Sequence, residues 1–393
     1  MGNVRHANIA QRIEGSTVSS ISRKTAALAA GAALAVGGCT AGIVIAAQGS
    51  GQAAANRAGT ATARAAAAQS APLRLVSISP AAGRRDANGA GAITVTYNQP
   101  LSATAPLPTL SPAIAGSWRR TGDAVIFRPA TGYPAGTRVT VRVAGTGGSR
   151  IRSGTSSFET GRYSTVRLQE ILAQLRYLPL TWTPARGAAP GGSAAAQLSA
   201  AYAPPAGTFH WQRGYPEQLG SFWAPGKANT LDRGAITGFE ADHGLPINGV
   251  AGSSVWKALL NAAAKDQRNT HGYSYAIASQ HEPETLTIWH DGKKVFSSFA
   301  NTGIGVAPTG VGTFPVYEKL PFQIMQGTNP DGSHYSDPVE WVSYFDGGDA
   351  VHYFDRGSYG WPQSLGCVEL PYDAAERAYP YLPYGTLVTV TPE

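Results

Sequence analysis

Short stretches in which apolar and polar residues alternate, each closed by Gly, Pro or an Asn-Gly pair, begin at Leu73 and recur to the C-terminus. A period of two is the signature of a strand with one face buried. L-R-L-V-S-I-S-P ends in a proline turn. A-I-T-V-T-Y sets Ile93, Val95 and Tyr97 on one face, and A-V-I-F-R-P, T-R-V-T-V-R-V and T-S-S-F-E-T follow. Several such strands between turns predict a small β-sandwich over residues 72–160. The composition agrees, with 47 Gly, 27 Pro and only 14% charged residues. This region contains no histidine or cysteine, so it reads as a spacer or positioning module.

The N-terminal part reads differently. Arg5, Arg12, Arg23 and Lys24 stand against Glu14 alone, and an uncharged run follows. The pattern predicts a cytoplasmic segment over 1–24, a membrane anchor over 25–48 and export of the remainder. A cleaved signal segment is the competing reading. A third is a lipoprotein, with V-G-G-C placing a lipid on Cys39. Residues 49–71 hold few large apolar side chains and read as a linker. The net charge of +7 comes without a dense Lys/Arg block or a fingerprint motif, which argues against a nucleic-acid partner.

In the middle, Y-S-T-V-R-L-Q-E-I-L-A-Q-L-R-Y-L (163–178) carries Val166, Ile171, Leu172 and Leu175 at helical spacing. Ser164 or Thr165 is its cap and Pro179 its stop. A second helix starts near Arg233, with Ile236 and Phe239 on one face, and ends at His243-Gly244. A third starts at Ser253 or Ser254 and carries Val255, Leu259 and Leu260. Between the first two lies a Gly/Pro/Ala-rich insert, in which Trp211, Tyr215 and Trp223 are candidates to line a sugar groove or to cover a small core.

From residue 271 strands return. Y-S-Y-A-I-A-S reads as an edge strand. T-L-T-I-W-H-D-G-K-K-V-F-S-S-F-A reads as a hairpin turning at Asp291-Gly292, with Leu286, Ile288, Val295 and Phe299 facing inward. W-V-S-Y-F-D-G-G-D-A-V-H-Y-F delivers His352 to a strand end. A short helix and a closing strand follow Cys367. One of only two cysteines in the chain, Cys367 sits fifteen residues after His352 in S-L-G-C-V-E-L. An imidazole can hold such a thiol as thiolate and shuttle its proton. Gly366 permits close backbone approach, and the Gly366 and Cys367 N–H groups are candidate donors to an oxyanion. Tyr335, Trp341, Tyr344, Trp361 and His334 are candidates to bind substrate. The remaining histidines lack metal-ligand spacing, so neither a metal nor another cofactor is expected.

This segment resembles the active-site stretch of the L,D-transpeptidases, cell-wall enzymes with a YkuD-type catalytic domain. His352 matches the first histidine of their signature, and Ser364, Gly366, Cys367 and Val368 match its later part. Leu365 stands where the family has a second histidine, and Glu369 where it has Asn or Arg. The resemblance covers about 271–392. It implies that the backbone carbonyl beside His352, at Tyr353, orients the imidazole, with Asp355 and Glu369 as the alternative orienters, and that Cys367 forms a thioester with a tetrapeptide stem. The acyl group then passes to a side-chain amine, forming 3-3 cross-links in peptidoglycan, and carbapenem-type β-lactams acylate the same cysteine. A cysteine carboxypeptidase or endopeptidase on wall peptides is the alternative enzyme, and a non-catalytic envelope scaffold the alternative class. Residues 163–262 resemble a helical peptidoglycan-binding module with a long insert, and 72–160 an Ig-like domain of bacterial surface proteins. The expected whole is multidomain and mainly β. It runs from a membrane anchor through an Ig-like β-sandwich and a small α-helical module to a β-rich YkuD-like catalytic domain. Its place is the outer face of the cytoplasmic membrane, with stem peptides and glycan as partners.

Overall fold

The computed structural model describes residues 73–144 and 154–392, which fall in one compact unit, Ser70–Glu393. The expected anchor, the linker and Cys39 lie outside the described residues. Among the described residues no helix is long and apolar enough to cross a membrane.

The first seven strands form two sheets. β1 (Leu75–Ser79), β2 (Ile93–Tyr97), β4 (Gly116–Thr121) and β5 (Ala124–Pro129) order as β1-β2-β5-β4. β3 (Thr109–Ser111), β6 (Arg138–Val143) and β7 (Gly154–Glu159) order as β3-β6-β7. Alternation puts Ile93, Val95, Tyr97, Val125 and Phe127 of one sheet and Val139, Val141, Val143 and Phe158 of the other into a single core.

Next comes a helical layer containing a strand pair. Its elements are α1 (Thr165–Gln174), β8 (Leu180–Pro184), α2 (Ala194–Tyr202), β9 (Gly207–Trp211), α3 (Glu217–Ser221), α4 (Thr230–Asp242) and α5 (Ser253–Lys265). The Gly/Pro/Ala-rich insert supplies α2, α3 and the β8–β9 pair. α1 stops earlier than Pro179 implied, because Arg176 turns into the left-handed region at φ 65°. α4 begins at Thr230, where the Asn229 side chain accepts from the Asp232 N–H at 3.0 Å. Gly252 is the N-cap of α5, and Ser253 is its first helical residue.

The C-terminal part holds two further sheets. β10 (Ser274–Ser279), β11 (Thr285–His290), β12 (Lys293–Phe299), β13 (Gly312–Pro315) and β18 (Leu387–Thr391) order as β12-β11-β10-β18-β13. β14 (Glu318–Thr328), β15 (His334–Asp346), β16 (Asp349–Tyr353) and β17 (Val368–Leu370) order as β14-β15-β16-β17. β10 is central, not an edge strand: it pairs with β11 and β18 and is buried on both faces. Tyr275 on one face joins the core of the helical layer, together with Leu172, Phe239 and Leu387. Ala276 on the other face joins the core shared with the second sheet and with α6 (Tyr372–Ala378). A polar tie reinforces the helical contact, Tyr215 donating to the Tyr273 carbonyl at 2.8 Å, while Tyr177 donates to Asp242 at 2.8 Å within the helical layer.

The β11–β12 hairpin turns at Asp291-Gly292, both at positive φ, as a two-residue turn of this kind requires. Its inward set is corrected by one residue. Leu286 and Ile288 are fully buried, but Val295 and Phe299 are exposed and Phe296 points in. The register slips at Ile288/Trp289, and such a bulge sends every later side chain of β12 to the opposite face.

Candidate active site

β16 and β17 run parallel in the second sheet, and between them the chain makes the 354–366 loop. That crossover returns Cys367, at the entrance to β17, to the strand bearing His352. Both line one cleft of ≈ 620 Å³. Its far wall is the long β14–β15 hairpin, through Gln323, Met325, Tyr335 and Tyr344. The turn before the cysteine is held from inside. Ser364, buried, donates from its hydroxyl to the Cys367 carbonyl at 2.6 Å and accepts the Gly366 N–H at 3.1 Å. The Gly366 N–H is therefore committed within the turn, against the expectation that it serves an oxyanion. Gly366 has φ 122°, in the region that favours glycine.

Buried His352 has Nδ1 2.8 Å from the Tyr353 carbonyl oxygen. A carbonyl only accepts, so the contact assigns the proton of the neutral ring to Nδ1 and leaves Nε2 as the base. Burial pushes the imidazole pKa below its ordinary value. The Tyr353 carbonyl and Glu369 oppose that shift, and Arg356 adds to it. The Cys367 thiol is pushed up to about 12, chiefly by burial. A backbone hydrogen bond from Ala350 works the other way, while Asp349 and Glu369 add negative charge nearby. The direction is opposite to the one an ion pair with a close imidazole would give. Desolvation acts against both charged forms and so favours a neutral thiol beside a neutral imidazole. Such a pair can still do nucleophilic chemistry if the proton moves to Nε2 as the sulfur attacks.

Other candidates scatter. Tyr335 and Tyr344 line the cleft. Trp341 does not: it adopts φ 60° and packs 5.6 Å from the Tyr379 ring. Trp361 is exposed outside the cleft lining, and His334 stands at the tip of the β14–β15 hairpin, 3.3 Å from the Thr328 hydroxyl. Tyr353 contributes its carbonyl, while its ring packs edge-on to Tyr372 at 5.0 Å. In the helical layer Trp211 and Trp223 stand 6.5 Å apart with Trp211 exposed, whereas Tyr215 is occupied in fastening the layer to Tyr273.

Sequence reasoning missed Asp349 and Arg356, which also line the cleft. Burial raises the Asp349 pKa to about 6. The available signal was position: Asp349 directly follows a Gly-Gly turn three residues before His352, and Arg356 is the only basic residue between His352 and Cys367.

Residues 274–390 match the family model of the L,D-transpeptidase catalytic domain, YkuD. The chain thus carries a C-terminal YkuD-like domain, and the cleft lies within it. No curated protein matches the chain. Among solved structures, an L,D-transpeptidase from Mycobacterium smegmatis is 16% identical, covering 82% of this chain and 100% of that one at a TM-score of 0.29. L,D-transpeptidase 3 from Mycobacterium tuberculosis, in complex with a faropenem-derived adduct, is 16% identical, covering 81% and 98% at 0.29. The catalytic domain of the E. faecium L,D-transpeptidase is 25% identical, covering 31% and 100% at 0.28.

Proposed function

We propose that this protein is a cysteine acyltransferase of the cell envelope, an L,D-transpeptidase acting on peptidoglycan stem peptides. The observation that carries the proposal is that Cys367 and His352 line one cleft inside the segment matching the YkuD domain. In this reading the Cys367 sulfur attacks the carbonyl of the third residue of a tetrapeptide stem, the one bonded to the fourth residue's nitrogen, while His352 Nε2 takes the thiol proton. The imidazolium returns that proton to the departing amine as the C–N bond breaks, leaving a thioester. An acceptor amine then attacks the thioester. Its surplus proton passes through His352 to the sulfur, the C–S bond breaks, and a 3-3 cross-link and free thiol result. With the Gly366 N–H engaged, the Cys367 N–H is the candidate oxyanion donor left in the turn. A β-lactam, itself an acyl donor, would acylate the same sulfur.

The other modules fit an envelope role. The sheet orders β1-β2-β5-β4 and β3-β6-β7 correspond to the four-plus-three arrangement of a constant-type immunoglobulin sandwich, which supports an Ig-like spacer over 72–160. The helical layer over 163–262 is proposed as a wall-binding module, and residues 1–48 as the envelope-targeting segment.

The test is intact-mass measurement of the full-length protein after incubation with disaccharide-tetrapeptide. The expected result is an acyl adduct at Cys367 that disappears on adding an acceptor stem and never forms in Cys367→Ala. A folded wild-type protein that takes no adduct from the tetrapeptide or from a carbapenem would overturn the proposal in favour of a scaffold.

A further inference from the structure

Two charged side chains at the cleft have no part in the acyl-transfer scheme. Glu369 is 4% exposed in the middle of β17, and its register partner on β16 is His352. Arg356, in the loop after β16, donates from Nε and Nη2 to the two carboxylate oxygens of Glu369, both at 2.7 Å. Its Nη2 also reaches the Gln363 carbonyl at 3.1 Å. The guanidinium lies 4.5 Å over the Phe354 ring, which stands edge-on to the His352 ring at 6.3 Å. The Tyr359 hydroxyl accepts the Arg356 N–H at 3.3 Å and donates to the Phe354 carbonyl at 2.6 Å. Each end of the 354–366 loop is thus tied to the strand pair carrying the base and the nucleophile. A forked guanidinium–carboxylate pair is directional as well as charged.

We propose that Arg356 and Glu369 are a positioning pair. Arg356 cancels the negative charge that Glu369 would otherwise set against His352, and the pair pins the loop that delivers Ser364 and Cys367. This rests on the acyltransferase reading of the cleft. The two charges act on the imidazole with opposite signs, Glu369 favouring its protonated form and Arg356 its neutral form. The neutral form is the one that can accept the thiol proton. The pair also stands where the chain departs from the resembled signature, with Leu365 and Glu369 in place of a second histidine and an Asn or Arg. Leu365 is partly exposed on the cleft and offers no polar group. The other ionisable groups around the base and the pair are the nucleophile Cys367 with Asp349 beside it, Asp337 on β15, and Asp355 and Tyr359 in the loop. They remain in every variant below.

The test compares the full-length wild type with Arg356→Gln, Glu369→Gln and the double variant. Two rates are followed against pH: acylation of Cys367 by a carbapenem, and its alkylation by iodoacetamide. Arg356→Gln leaves a buried carboxylate unopposed, so the acid limb should move to higher pH by about one unit, the scale of a neighbouring charge. Glu369→Gln leaves the cation and should move the limb to lower pH. The double variant restores neutrality and should return the limb to within a few tenths of a unit of wild type. If rates and melting temperatures fall while both limbs stay put, the pair is only structural and the inference is overturned. Should Arg356→Gln fail to fold, Glu369→Gln and the charge-neutral double variant still supply the shift and its reversal. A wild type that is alkylated but never acylated would overturn the acyltransferase reading, and the pair's charge is then read from the thiol's own alkaline limb, which losing Arg356 should move up and losing Glu369 down.

Discussion

The Asp349 carboxylate occupies the space that a side chain at Gly366 would need. Gly366 is therefore required twice, by its φ of 122° and by this contact. Gly366→Ala should cost about 1–3 kcal/mol, the range for strained backbone. It should also displace the sulfur enough to slow acylation about 10²-fold. Trimming the partner in Gly366→Ala/Asp349→Gly relieves the contact but not the φ, so only part of the loss should return. Thermal unfolding and acylation rates check both statements, and a single variant indistinguishable from wild type would refute them.

The neutral thiol has a direct consequence. With the Cys367 pKa pushed up to about 12, the free protein should hold almost no thiolate at neutral pH. Iodoacetamide should label Cys367 slowly at pH 7 and progressively faster into the strongly alkaline range. An acyl donor that engages the cleft should react at neutral pH, because His352 removes the proton during attack. His352→Ala should cut that acylation about 10²-fold or more while leaving the alkaline alkylation nearly unchanged. Rapid labelling at pH 7 would mean a preformed thiolate.

The strands with clean alternation, such as Ile93-Val95-Tyr97 and Leu286-Ile288, were legible because one face of each is buried. β10 was misread because both its faces are covered, which depends on the helical layer far away in sequence. Of the 11- and 13-residue strands of the β14–β15 hairpin only short pieces were legible, because Pro321, Gly327 and Pro338 and a polar face that lines the cleft interrupt the pattern. Of the site, Cys367 and His352 stood out by residue type and spacing. Asp349 and Arg356 did not, because their meaning lies in contacts with Gly366 and Glu369 that only the folded crossover creates. The direction of the thiol pKa was not legible either, because it depends on burial, which no local pattern reveals.

Ser364 holds the nucleophile turn with one hydroxyl that both donates and accepts. Ser364→Ala leaves the Gly366 N–H and the Cys367 carbonyl without this partner, at about 1–3 kcal/mol for a group left unsatisfied in the interior. The freed Gly366 N–H could also swing toward the oxyanion, so stability and acylation need not fall together. The expected result is a lower melting temperature with a smaller proportional loss of acylation than in Gly366→Ala. Equal losses in the two variants would show that the turn cannot move without carrying the cysteine with it.

Asp232, far from the cleft, should give the fold a titration of its own. It lies in the first turn of α4, 3% exposed, with Oδ2 accepting from Gln169 at 3.0 Å and Oδ1 without a hydrogen-bond partner. Burial, opposed in part by Gln169 and Asn229, raises its pKa from 3.8 to about 7. A carboxyl whose folded pKa is raised binds more protons folded than unfolded between those two values, so its contribution falls as pH climbs through that window and then levels off. The loss is at most about 4 kcal/mol for a shift of this size. Asp232→Asn keeps an acceptor for Gln169 and cannot ionise. The stability difference, variant minus wild type, should therefore be smallest near pH 4, grow toward pH 7 and stay constant above it. Denaturant melts at pH 4, 5.5, 7 and 8.5 measure it directly. A difference independent of pH would show that Asp232 titrates normally and that water or a local opening reaches its carboxylate.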